Sequence, residues 1–315
     1  MTDLRAISDQ QRKAAGRLLL GTVQFGIPYG VTNARGKISP EKVSEILSAA
    51  QQSGIRLVDT AADYGTSEEV LGRYLPADVG IVTKIPAVRA DAVMPADIQL
   101  VRNSVTRSLE RLRRTKIDAL LAHQCADLFK PGGKQLVQLL QQLKADGIVS
   151  QIGISVYDSE DIDRALELFR PDVVQVPLNL FDQRLKRSGH IARMRDLGIQ
   201  IHARSAFLQG VLLAQPSSLP AYFRQFDRQF ARYNELLGVS GVSRIAACLG
   251  FMIEQSGCDF VIVGVTDRSE LEEIVSSLPA GSALPPMDVL ATDDRALIDP
   301  RTWNFPGPAS EAIRQ

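Results

Sequence analysis

Four residues of this 315-residue chain carry groups that can move a proton or hold a charge, and each stands at the end of a short apolar run. Asp59 and Tyr64 lie in LVDTAADYG (57–65), Lys84 in GIVTKI (80–85) and His123 in IDALLAHQ (117–124). A free phenol titrates near pH ~10 and is a reluctant acid at neutral pH. A lysine cation beside it favours the phenolate and lowers that value. A carboxylate paired with the lysine holds the ammonium in place and compensates its burial, and an imidazole can orient a substrate oxygen and assist proton transfer. Brought together, these groups would protonate a carbonyl oxygen as it becomes an alkoxide, or take the proton back in reverse. That chemistry needs a hydride partner, so a nicotinamide cofactor is implied. Asp63, between the two, is expected to be a loop residue, solvated or capping the next helix.

Something must bring four distant positions to one place. Eight apolar runs are strand candidates: RLLLGT, RLVDTA, GIVTKI, IDALLAHQ, QIGISV, DVVQVPLNL, IQIHARSAF and FVIVGV. They are continuous rather than alternating, the pattern of strands covered on both faces. Amphipathic helices lie between them. In SPEKVSEILSAAQQSG, Ser39 can cap, Pro40 suits the first helical position and Gly54 can close the end. Its apolar residues Val43, Ile46, Leu47 and Ala50 form one stripe. SEDIDRALELFRP repeats the logic, with Ser159 as the cap and Pro171 beyond the end. Eight strands alternating with helices predict a single-domain α/β protein, a (β/α)8 TIM barrel over residues 17–278. A doubly wound sheet is the alternative, but no GxGxxG follows the first strand. Residues 1–16 form an N-terminal segment, 211–258 a helical insertion after the seventh strand that helps wall the site, and 279–315 a Pro-rich C-terminal tail. Catalytic groups of such a barrel stand at the C-terminal ends of its strands, where strands two, three and four would place Asp59, Tyr64, Lys84 and His123.

Composition excludes several other roles. Lys plus Arg equals Asp plus Glu at 36 each, so no global field attracts nucleic acid or an anionic membrane. The basic run RLRR with Lys116 fits a solvated helix end. Cys125, Cys248 and Cys258 are too few and scattered for a disulfide framework. His190 and His202 are isolated, and no acidic or histidine cluster has metal-ligand spacing, so no metal is expected. No apolar stretch approaches the roughly 20 residues of a membrane helix, and the N-terminus lacks a signal-peptide run. A soluble cytoplasmic protein is expected.

LGTVQFG (20–26), DTAADYG (59–65), VTK (82–84), the strand-four histidine, GIS (153–155) and VVQV (173–176) together resemble the aldo-keto reductases over roughly residues 17–278. The resemblance implies a carbonyl reductase in which Tyr64 is the general acid/base, Lys84 tunes its pKa, Asp59 partners the lysine and His123 orients the carbonyl. It also implies that Ser155 and Gln175 hold the nicotinamide carboxamide, although Val156 stands where the family has Asn. Thr22 matches a position near the cofactor. Arg204, followed by Ser205, stands where the family stacks an aromatic ring on the nicotinamide, and a planar guanidinium can also stack. The phosphate end would lie in VIVGVTDRSELEEI (261–274), with Gly264 in a turn and a helix from about Ser269 whose N–H groups face the anion. NADP(H) is the family default. Thr266 and Arg268 suit a 2′-phosphate, whereas Glu270 would repel one and could accept a bond from a free 2′-hydroxyl, which makes NAD(H) the alternative.

The substrate, a small carbonyl compound, would be rimmed by Val23, Gln24, Phe25, Tyr29, Phe129, Arg204 and Trp303. Gln24 and Arg204 would tolerate hydroxyl-rich or anionic groups, and RSAFLQGVLL resembles a bacterial subgroup associated with sugar and surface-polysaccharide pathways. Two other readings use the same barrel: a non-redox lyase or isomerase built on Tyr64 and Lys84, and a non-catalytic regulatory subunit.

Overall fold

The computed structural model describes residues 7–31, 33, 36–280 and 284–304. The rest of the N-terminal segment and of the tail lies outside the described residues. Each of the eight apolar runs forms a strand: β1 (Leu18–Gly21), β2 (Leu57–Asp59), β3 (Gly80–Ile85), β4 (Ile117–Ala122), β5 (Val149–Ser155), β6 (Val173–Pro177), β7 (Gln200–Arg204) and β8 (Phe260–Gly264). All pair in parallel in chain order, and β1 pairs with β8 from Leu18↔Val261 to Gly21↔Gly264 to close the barrel.

Side chains alternate between the two faces of a strand, and this decides what the barrel holds. Leu19, Val82, Ala119, Leu121 and Val173 form a small apolar cluster inside it. Their strand neighbours Leu18, Leu20, Ile81, Leu120 and Val174 belong to the larger core between sheet and helices. Counting on by twos from the inner residues reaches Gly21, Lys84, His123 and Gln175, and the same inward face of β2, β5, β7 and β8 carries Asp59, Ser155, Arg204 and Gly264. One parity therefore delivers the polar set to the lumen at a single end.

The helix of residues 40–53 ends at Gly54 with φ 95°, the left-handed closure its glycine predicts, and Val43, Ile46, Leu47 and Ala50 are buried. The helix Ser159–Leu168 is capped one residue earlier than expected. Asp158, not Ser159, is the N-cap, in a reciprocal box with Asp161. Before β1, a helix over Asp9–Ala15 is capped by Ser8 and tied to the barrel by Gln11 Nε2 to Ser276 O at 2.9 Å.

The segment between β7 and β8 carries helices Asp227–Ser240 and Arg244–Gly250, the second continuing through a wider turn to Gln255. Residues 284–304 then run back over the catalytic end. Thr292 N bonds Phe181 O at 2.9 Å in the loop after β6, Arg295 Nη2 lies 2.6 Å from Asp158 Oδ1 in the loop after β5, and Gln229 Nε2 donates to Leu290 O at 2.6 Å. Among the described residues no single helix is long and apolar enough to cross a membrane.

Candidate active site

Asp59 and Lys84 form a buried pair at the lumen's open end. The Lys84 ammonium donates to Asp59 Oδ1 at 2.9 Å, to Asp59 Oδ2 at 2.8 Å and to Thr60 O at 2.8 Å. An ammonium has three hydrogens, so none is left to bond a phenol. Burial pushes the Lys84 pKa down while Asp59 pulls it back up. Gln175 Nε2 reaches across the lumen to Asp59 Oδ1 at 2.8 Å, so the amide expected on a nicotinamide carboxamide here holds the carboxylate.

Tyr64 lies over this pair, with Lys84 Nζ 5.1 Å from its ring centroid and the His123 ring edge-on at 5.7 Å. Lys84 does not leave the phenol acidified in this arrangement. Burial and then the Asp59 charge push the Tyr64 pKa well above its ordinary value, and the Arg204 cation pulls against them. At neutral pH the hydroxyl keeps its proton. Burial likewise keeps His123 below the ordinary imidazole value, so its ring is neutral.

Asp63 is an exposed loop residue, the first of the two expected alternatives, and does not cap a helix. The following helix, Ser67–Tyr74, starts from Thr66, and Asp63 Oδ2 stands 3.8 Å from His123 Nδ1. Contact with His123 holds its carboxyl below the ordinary range.

The DYG turn is set by backbone packing. A methyl group on Gly26 would fall 1.6 Å from Tyr64 O and 2.7 Å from Ser67 N, and Gly65 has φ 55° with Gly26 O against its own Cα hydrogen side. Neither backbone atom can swing away as a side chain would. We expect Gly26→Ala to displace Tyr64 and lower kcat about 100-fold, the cost of a shift of about 1 Å at a reacting group. Steady-state turnover, with a thermal melt to show that the barrel is folded, checks this. Beneath the turn, the Thr22 hydroxyl donates to Asp59 O at 2.9 Å, and Ser67 Oγ donates to Thr22 O at 3.0 Å. Thr22 thus supports the Asp59 backbone with its hydroxyl while lining the cleft.

A cleft of about 1160 Å³ opens above these groups, lined by Val23, Gln24, Tyr29, Tyr64, His123 and Ser155 and running to Thr266 and Glu270. A second cavity of about 640 Å³ shares Phe207, Leu213, Gly264 and Glu270 with it, so the two make one elongated groove past the end of β8. Glu270 points into the groove, its carboxylate accepting from Thr266 N at 2.6 Å and Thr266 Oγ1 at 2.8 Å. The helix behind it is Arg268–Ser276, capped by Asp267. Arg268 turns away to Glu272 at 2.7 Å, an i,i+4 pair on its own helix, and does not line the groove.

Three expected rim residues are elsewhere. Val23–Gly26 winds into a helical turn that leaves Val23 and Gln24 on the cleft and sends Phe25 fully into the core. Phe129 ends the turn Cys125–Phe129 and packs under the Arg164 guanidinium at 4.0 Å. Trp303 is 1% exposed, donates from Nε1 to Leu297 O and meets Phe223 edge-on at 5.0 Å. Arg204 and Ser205 do line the cleft, with Ser205 at φ 63°. Arg204 stacks on a protein ring, Tyr157, at 4.2 Å. Tyr157 and Gln209 are cleft residues that sequence reasoning missed. Tyr157 was within reach, since it stands two residues beyond the Ser155 strand end. Gln209, in a loop where Leu208 and Gln209 both have positive φ, donates to Tyr29 Oη at 3.2 Å from the opposite wall.

A closed parallel barrel of eight strands thus holds the lysine–carboxylate pair, the phenol and the imidazole together at one end. The chain matches the Aldo/keto reductase family model over residues 17–293, and it belongs to that family. It is similar to an NADH-specific methylglyoxal reductase of Escherichia coli, at 25% identity over 295 residues, covering 83% of this chain and 89% of that one. In fold it is similar to a holo-form aldo-keto reductase of Bacillus halodurans (TM-score 0.68, 18% identity, 86% and 89% covered). It is likewise similar to the glycerol dehydrogenase of Gluconobacter oxydans (TM-score 0.67, 22% identity, 93% and 94% covered). The protein is an NAD(P)H-dependent oxidoreductase that reduces an aldehyde or ketone to an alcohol.

Proposed function

We propose that Tyr64 is the general acid of this reduction, that NAD(H) is the preferred nucleotide, and that the substrate is a small hydroxyl-rich, sugar-like carbonyl compound. The observation that carries the assignment of Tyr64 is the full commitment of Lys84. With all three ammonium hydrogens on Asp59 and Thr60, the half-buried phenol is the proton donor at the cleft floor. An alkoxide is a far stronger base than a phenolate, so the transfer runs downhill even from a phenol of raised pKa. His123, with Asp63 Oδ2 3.8 Å from its Nδ1, orients the carbonyl oxygen beside Tyr64. Asp59 and Gln175 keep Lys84 from shifting as charge develops.

The groove fits a nicotinamide dinucleotide. Besides its length, it contains two buried amide oxygens, Gln24 Oε1 and Gln209 Oε1, with no hydrogen-bond partner among the described residues. When bound, the nicotinamide supplies the hydride. Ser155 at the end of β5 and Gly264, Thr266 and Glu270 at the end of β8 would hold the nucleotide. NADP(H), the default expected from the sequence, is disfavoured by a carboxylate pinned in the groove and by an Arg268 already paired with Glu272. We expect NADH to bind at least about tenfold more tightly than NADPH, roughly 1.4 kcal/mol, and Glu270→Arg to narrow or reverse the gap. Fluorescence titration with both nucleotides tests this, and tighter NADPH binding by the unaltered protein would overturn it. Three unpaired buried cysteines support a reducing compartment, the cytoplasm. The activity itself is tested by the absorbance decay of each reduced nucleotide against aldehydes and aldoses. A protein that binds nucleotide yet consumes it with no carbonyl would refute the reading.

A further inference from the structure

Around the mouth of the cleft the arginines of the loops after β5 and β6 and of the strap are neutralised, whereas three that line the groove, Arg89, Arg204 and Arg244, pair with no carboxylate among the described residues. Arg184 pairs with Asp182 at 2.8 Å and Asp158 at 2.7 Å, Arg295 with Asp158 at 2.6 Å, and Arg301 with Asp299 at 2.6 Å. Arg204 is half-buried on the cleft wall, and no carboxylate pairs with it among the described residues. Nη2 donates to the backbone oxygen of Val156 at 3.0 Å, and Nη1 lies 3.5 Å from Ser205 Oγ. A guanidinium carries five N–H donors in a rigid plane, so donors remain for a ligand.

Its position is built from both sides. From β7 the side chain reaches over β6 to the end of β5, where it lies on Tyr157 with its central carbon 4.2 Å from the ring centroid. Arg301, from the strap of residues 284–304, lies on the same ring at 3.6 Å. Two guanidinium planes so near one centroid must cover its two faces. Arg301 is held in turn by Asp299, which accepts from its Nε at 2.9 Å and Nη2 at 2.6 Å. The strap therefore fixes Tyr157, and Tyr157 fixes Arg204. A half-buried cation so placed, without a counter-charge, is incomplete.

We propose that Arg204 is an anion receptor for the substrate, selecting carbonyl compounds that carry a carboxylate or phosphate a short distance from the reacting carbon. The site rests on the reading of Tyr64 as the acid of carbonyl reduction, since both groups line one cleft. Arg204 reaches toward β5, away from the β8 end with Thr266 and Glu270, so the anion it awaits belongs to the substrate rather than to a nucleotide's phosphates. A planar fork binds a carboxylate or a phosphate through paired charge-assisted hydrogen bonds. A site built to make such bonds discriminates strongly against an analogue that lacks the partner.

The test compares matched probes: 4-oxobutanoate with butanal for the carboxylate, and glyceraldehyde 3-phosphate with glyceraldehyde for the phosphate. The charged member of at least one pair should have the higher kcat/KM by about tenfold or more, and the preferred pair identifies the anion. Arg204→Met should lower kcat/KM for that charged probe about 100-fold, mainly through KM, and lower it far less for the neutral counterpart, whose loss measures the shared effect of the cation on Tyr64. Arg204→Lys should recover part of the loss, and Arg301→Ala should lower it in the same direction by loosening Tyr157. Equal losses for charged and neutral probes, together with weaker nucleotide binding, would assign Arg204 to the cofactor and overturn the proposal. Calorimetric binding of the same four probes to the unaltered protein and to Arg204→Met gives a second readout independent of turnover. Arg204-dependent binding of an anionic probe with no reduction of any carbonyl would sink the reductase mechanism and leave the receptor standing. Binding indifferent to Arg204 would sink the receptor.

Discussion

Tyr64→Phe should lower kcat for carbonyl reduction about 10²- to 10⁴-fold, the range general acid catalysis supplies, while nucleotide affinity and melting temperature stay near those of the unaltered protein. The separation follows from what the ring does structurally. Its edge-on contact with His123 at 5.7 Å and its place 5.1 Å from Lys84 Nζ need only the ring, which phenylalanine keeps. The variant therefore removes a proton and little else. The pH profile adds a second check. Burial and Asp59 raise the phenol's pKa, so the acid form persists well above neutrality. Reduction should accordingly show no loss between about pH 7 and 9 on account of Tyr64, whose unperturbed value is already about 10. Alcohol oxidation, which needs the phenolate, should rise with pH over the same range. A reduction rate that falls along an ionisation near pH 7, or a Tyr64→Phe variant that turns over normally, would place the acid elsewhere.

Lys84→Met should damage the fold as well as the chemistry. Lys84 is 1% exposed and its pair with Asp59 is closed at 2.8 Å. Removing the ammonium leaves a carboxylate in the lumen with Gln175 Nε2 as its remaining side-chain donor. Breaking one side of such a pair costs about 3–5 kcal/mol, enough to shift a denaturant midpoint plainly. Replacing both partners, Asp59→Asn with Lys84→Met, removes the stranded charge and should recover much of that stability. Activity should not return, because the electrostatic support beneath Tyr64 is gone in both variants. Unfolding curves and single-turnover reduction measured side by side separate the effects. A double variant no more stable than Lys84→Met would show that the pair is not what the single variant disturbs.

Much of this was legible in the sequence because it depends on local pattern and parity. Continuous apolar runs gave all eight strands, and the strand-end rule located Asp59, Tyr64, Lys84 and His123 without any knowledge of side-chain direction. Direction is where the reading failed. Phe25 is two residues from Val23, but a helical turn rather than an extended loop follows β1, and the turn rotates Phe25 inward. Phe129 and Trp303 end short turns whose orientation is decided by Arg164 and Phe223, partners far away in sequence. Gln175 stands on the expected strand and lines the cleft, and its donor goes to Asp59 across the lumen, a contact that no strand-by-strand reading contains. The stack of Arg204, Tyr157 and Arg301 joins two strand ends to a tail that has no periodicity to announce it.

The seam between β1 and β8 has a consequence for how the molecule comes into being. A ribosome makes the chain from its N-terminus, so Leu18–Gly21 exists long before Phe260–Gly264, its partner. Until then seven strands can form only an open, curling sheet, with raw edges at β1 and at the newest strand. An unpaired apolar edge such as Leu18–Leu20 invites the wrong neighbour. The lumen of that open sheet is wet, and in water the Asp59–Lys84 pair exerts little of the force it has when dry. Water leaves only when the seam shuts. The nascent chain thus has no gradually improving site, because enclosure and reactivity arrive in one late event. A chain halted before residue 260 lacks β8 and leaves β1 and β7 as unpaired edges.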